Sequence, residues 1–245
     1  MAKYVRLHTG TSFDQLQREQ NFGIMPAANP CPAEQLDIRA LHFDTALIES
    51  RNVKTMLDFV ERCRRNEFPK GAIPVINKAV AAAPGDPGLL AARGWLLMDM
   101  GEHGDASDDF RDALILQPDY QPAIAGLGEA LGATGRFPEA MEVLKAADAG
   151  EEILTSRGVV GRQMGMLDIS YAQLEQVTKQ FPDFARGHQE FAVTCEALAE
   201  KGKPLLWQQA AQAFGKAHKL SGSKCAERRR NLALSRLNPE CLAQA

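Results

Sequence analysis

The side chains best able to do acid–base, nucleophilic or metal chemistry are dispersed along this chain. His8, His42, His103, His188 and His218 stand apart, and no HExxH pair places two imidazoles and a general base on one helix face. Cys31, Cys63, Cys195, Cys225 and Cys241 form no CxxC, which speaks against a zinc cluster or a dithiol redox centre. An odd, widely spaced set is the pattern of reduced, mostly buried thiols in a cytosolic protein. Gly126, Gly128 and Gly132 miss the spacing of a dinucleotide loop and sit in a helical pattern rather than after a strand. Neither a GxSxG elbow nor a phosphate-binding P-loop is present. The expectation is a protein that is not an enzyme and carries no cofactor or metal.

Charge narrows the partners. A net charge of −3 gives no electrostatic reason to expect nucleic acid or an anionic membrane, so a protein or peptide is the expected partner. No apolar run approaches the roughly 18 residues of a membrane span. The first residues, Met1-Ala2-Lys3-Tyr4-Val5-Arg6-Leu7-His8, carry charge but not the apolar core of a secretory leader, which points to a cytoplasmic location.

The elements that position these residues are read from a ladder of small residues. Ala72, Ala106 and Ala140 are 34 apart, as are Ala79, Ala113 and Ala147; Pro84 and Pro118, Gly94 and Gly128, and Gly101 and Gly135 keep the same interval. Identity at a fixed period of this size means stacked supersecondary units. Apolar residues at 3–4 spacing make each unit a helix pair, which places units over residues 53–86, 87–120, 121–150, 151–184 and 185–220. Gly158, Gly165, Ser170, Leu174 and Val177 repeat the ladder only 30 residues after their counterparts. About four residues are therefore missing around Asp148-Ala149-Gly150, which shortens a helix and should bend the array; about six extra stand near 201–206.

Residues 1–32 do not fit the repeat, and Gly23, Pro26, Pro30 and Pro32 make them a breaker-rich arm. A capping helix is expected over 33–52, and a second cap over 221–245, with Ala226, Leu232, Leu234 and Leu237 on its apolar side and Arg228-Arg229-Arg230 on a solvated face.

The third unit supplies Ile124, Leu127-Gly128, Leu131, Gly135-Arg136-Phe137-Pro138-Glu139-Ala140, Leu144 and Ala147, and in this it resembles a tetratricopeptide repeat. The second unit departs from that pattern at Arg93 and His103. Gly94 and Gly128 let paired helix axes approach, Ala106 and Ala140 do so from the opposing helix, and Phe110 and Leu144 fill the remaining space. The resemblance implies an all-α fold: a right-handed superhelix, or α-solenoid, of about five helix-turn-helix repeats with helical caps. It also implies a non-catalytic scaffold or adaptor that holds a peptide or protein segment in a concave groove lined by the first helix of each pair. The residues so placed are Leu57, Glu61, Arg64, Ala91, Trp95, Met98, Ala125, Glu129, Thr155, Val159, Arg162, Gln189, Val193 and Glu196. Trp95 and Met98 beside Ala91 and Ala125 resemble a pocket for an apolar anchor, or else Trp95 packs against its neighbours. The Lys/Asn set with which some members clamp a C-terminal carboxylate is absent from the matching positions. The alternative function is an accessory or chaperone subunit of an enzyme, secretion or assembly complex. It would contact its partner, or another copy as a homo-oligomer, through the arm at 1–32.

Overall fold

The computed structural model describes residues 53–65 and 69–237. The arm at 1–32, the helix expected over 33–52 and the tail beyond Leu237 lie outside them. Regular structure among the described residues is entirely helical: α1 (Val53–Arg65), α2 (Pro69–Ala82), α3 (Pro87–Met100), α4 (His103–Leu116), α5 (Gln121–Ala133), α6 (Phe137–Lys145), α7 (Glu151–Gln163), α8 (Leu167–Gln180), α9 (Ala185–Glu200), α10 (Leu206–Ser221) and α11 (Lys224–Ser235). Five helix pairs, α1–α2 to α9–α10, stack in order, and α11 packs on α10. The arrangement is that of a right-handed α-solenoid.

Local signals set the helix ends. Asp86 accepts from the amides of Gly88 and Leu89 at 2.8 and 3.2 Å, and Pro87 begins α3, where a missing N–H costs nothing. Gly101 and Gly135 close the first helix of their pairs at φ 82° and 78°, a left-handed backbone that only glycine adopts cheaply. α4 stops at Leu116, two residues before Pro118.

Packing within each pair follows the ladder. A methyl at Gly94 would lie 2.7 Å from the Phe110 ring, and one at Gly128 or Gly158 would lie 2.6 Å from Leu144 or Leu174. Phe110 is fully buried and also abuts Gly126, so it wedges α4 between α3 and α5. Truncating such a ring costs about 3–5 kcal/mol. Arg93, where the repeat pattern has leucine, is accommodated by an ion pair: Nη2 lies 2.5 Å from Oδ1 of Asp109, which is buried on α4.

The slip in the ladder is a short helix. α6 has 9 residues where α2, α4 and α8 have 14. With less helix interposed, α5 and α7 meet over a larger surface than any other two neighbouring first helices. Most of the buried apolar residues fall into two clusters, one from Met56 to Val160 and one from Leu174 to Ala233. The seam passes between α7 and α8, where Ser170 replaces the ladder's alanine and its hydroxyl donates to the Gly158 carbonyl at 2.7 Å.

The last helix differs from expectation. Ala226 and Ala233 are its buried residues, whereas Leu232 and Leu234 are exposed. Two alanines seven residues apart define the face against α10 and turn the flanking leucines outward. Arg229 is not simply solvated: it pairs with the buried Glu196 and lies 4.9 Å from the Phe214 ring centre.

Candidate binding groove

Leu57, Glu61 and Arg64 of α1 meet Ala91 and Trp95 of α3 around a pocket of about 270 Å³, completed by Asp58, Val60, Gly88, Ala92, Tyr120 and Pro122. Five of the residues read from the sequence thus converge on one cavity. Its wall is apolar at Leu57, Val60, Ala91 and Pro122, and its charged lining comprises Asp58, Glu61 and Arg64, the last two paired at 3.5 Å.

Trp95 does two things at once. Its ring lines the pocket and also meets Phe110 edge-on, with centroids 5.4 Å apart at 68°. Two cations flank it: the guanidinium carbon of Arg64 lies 5.5 Å from the ring centre and that of Arg186 lies 4.8 Å away. Arg64 is held from behind by Asp99, whose Oδ2 lies 2.6 Å from Nε. Met98 is half-buried against the first core and does not line the pocket.

The remaining predicted residues extend along the first helices. Ala125, Thr155 and Val159 are covered where α5 and α7 press together, while Gln189 and Val193 are partly exposed on α9. Glu129 is buried, and its carboxylate accepts from the Arg186 guanidinium and the Ser156 hydroxyl. Burial pushes the Glu129 carboxyl up, and Arg186 offsets this only in part. Arg186 also reaches Glu152, Nη1 to Oε2 at 2.5 Å. Burial works against its charge, but Glu129, Glu152 and Glu190 more than compensate and hold it firmly protonated. Arg162 donates to Glu190 at 2.6 Å and to the Thr194 hydroxyl at 3.1 Å. Burial would raise Glu190, but Arg162 and Arg186 together hold it below the ordinary carboxylate value.

The sequence reading missed Arg186, Glu152, Ser156 and Glu190. A signal was available in the register for one pair: Arg186 stands 34 residues after Glu152, on equivalent faces of successive first helices, where opposite charges should meet. Among the described residues no group of three or more His, Cys, Asp or Glu is placed to hold a metal ion, and no helix is long and apolar enough to cross a membrane.

Residues 97–151 match the family model for the tetratricopeptide repeat. A small glutamine-rich tetratricopeptide repeat-containing protein 2 of Mycosarcoma maydis is 31% identical over 86 residues, covering 34% of this chain and 24% of that protein. The matched stretch thus spans about a quarter of that relative's length. Among solved structures, a thermophilic TPR protein of Thermus thermophilus superposes with TM-score 0.58 at 20% identity, over 74% of this chain and 98% of that one. A human IFIT1 dimer with m7Gppp-AAAA gives 0.54 at 14% identity, over 69% and 43% of the two chains. At these identities the structural likeness concerns the fold alone.

Proposed function

Because this chain is a tetratricopeptide repeat protein, we propose that it acts without catalysis, as a scaffold that takes a segment of another protein into the pocket between α1, α3 and the start of α5. The pocket's composition carries this reading. At about 270 Å³ it falls below the roughly 300 Å³ at which small-molecule sites begin, and it suits one inserted side chain. Leu57, Val60, Ala91, Pro122 and Trp95 offer that side chain an apolar wall, with Trp95 backed by the buried Phe110. A buried aliphatic or aromatic anchor of this kind supplies most of the energy of a peptide interface. Asp58, exposed beside the pocket, favours a basic residue next to the anchor.

The test uses the full chain as bait to isolate a partner, followed by titration with Leu57→Ala and Trp95→Ala. Each variant is expected to weaken binding at least tenfold, about 1.4 kcal/mol, while the far-ultraviolet circular dichroism stays unchanged. Unaltered affinity in both would remove the pocket from the account.

A further inference from the structure

Four side chains from three helices converge on the concave face next to the pocket: Trp95 of α3, Glu129 of α5, and Glu152 and Ser156 of α7. The cation that joins them is Arg186, from α9. Its guanidinium carbon sits 4.8 Å from the centre of the Trp95 ring, Nη1 donates to Glu152 at 2.5 Å, and Nη2 donates to Glu129. Ser156 donates to the same Glu129 oxygen and fixes its orientation. Among the described residues, Arg186 is the only base paired with either carboxylate.

The arrangement matches one chemical group. Two carboxylates set beside an indole ring suit a planar cation with several N–H donors in a fixed fork; an ammonium would meet them as a point charge. The cage is closed at one end and open at the other: the Glu129 side chain is 8% exposed and that of Glu152 is 35% exposed. A cation can therefore leave or enter past Glu152 without unfolding of the core.

We propose that Trp95, Glu129, Glu152 and Ser156 form a guanidinium-binding site, filled in cis by Arg186, whose place an arginine side chain from outside can take. Arg186 acts as an intramolecular stand-in. Tethered on α9, it competes at high effective concentration, so a free arginine displaces it poorly. A partner segment already anchored in the neighbouring pocket gains the same advantage of proximity. This places an arginine close to the apolar anchor in the segment recognised. That last step rests on the pocket reading above; the cage itself does not.

The experiment needs no partner protein, so its outcome is independent of the pocket variants. Arg186→Ala is prepared in the full chain, alone and combined with Glu129→Gln and Glu152→Gln. Thermal unfolding is followed with guanidinium chloride at tens of millimolar, well below denaturing levels, against sodium chloride at equal ionic strength. N-acetyl-arginine amide and N-acetyl-lysine amide form a second pair of ligands. The single variant is expected to lose thermal stability, to regain at least half of the loss saturably with guanidinium or the arginine amide, and to gain less from sodium or the lysine amide. The triple variant is expected to show no such selectivity. If Arg186→Ala does not fold alone, folding on addition of guanidinium supports the site as strongly, and failure to fold with it counts against it. A response to guanidinium no greater than to sodium, or equal in the single and triple variants, overturns the proposal.

Discussion

Glu129 and Glu190 lie in the same groove and share a cation, yet their carboxyls are displaced in opposite directions. For Glu129 burial wins; for Glu190 the attraction of Arg162 and Arg186 outweighs it. The consequences for stability also differ in sign. With its value lowered on folding, Glu190 makes the folded state bind fewer protons than the unfolded chain. Its contribution is complete above the ordinary glutamate value of about 4.3 and is lost as pH falls through the lower folded value. Glu129, raised on folding, adds stability as pH falls through its folded value toward the ordinary one. Glu190→Gln is therefore expected to lower the urea midpoint at neutral pH and to make the decline on acidification shallower than in the parent chain. An acid limb as steep as the parent's would show that Glu190 is not held low. At this scale little was legible beforehand. Arg186 and Glu129 are 57 residues apart, and the repeat fixes where a concave side chain sits without fixing its chemistry.

The elements were far more legible, because the ladder records contact. Gly128 opposite Leu144 and Gly158 opposite Leu174 are small where axes must approach, and that requirement recurs with every pair. The short α6 was readable for the same reason, as a slip in the interval. The last helix was misread: Leu232 and Leu234 look like core by residue type, but Ala226 and Ala233 make the contact, and close packing on α10 favours the smaller side chains. The short α6 also bears on the groove. Beside its 9 residues α5 and α7 are in extensive contact, and α9 reaches back to α3 through Arg186 and Trp95. Inserting four alanines after Lys145, about one helical turn, is expected to separate α5 from α7 and withdraw Arg186 from Trp95. Small-angle scattering should show a larger radius of gyration, and the fluorescence of Trp95, read in a Trp207→Phe background, should shift. No change in either would show that the length of α6 does not govern the curvature.

Across the whole molecule, the division of the core into two clusters predicts two levels of cooperativity. In an array whose elements contact mainly their neighbours, stability adds locally, and a weak junction separates blocks. The junction here lies between α7 and α8, bridged by Leu174 packed over Gly158, by Ser170 to Gly158, by Arg162 to Glu190 and Thr194, and by Arg186 to Glu129 and Glu152. Native-state hydrogen exchange is expected to resolve one opening free energy for buried amides of α1–α7 and another for α8–α11. A single common value would mean that these bridges couple the clusters as firmly as the packing inside each cluster does.

The reach of Arg186 also determines how the array bears load. A helical stack lengthens by small rotations at each joint, as a coil spring does, and its compliance is the sum over joints. Arg186 ties α9 directly to α3, α5 and α7, so extension between these helices must first draw the guanidinium from its seat. Under tension that span therefore resists extension more than the helix packing alone would, because a charge-assisted tie must break as well.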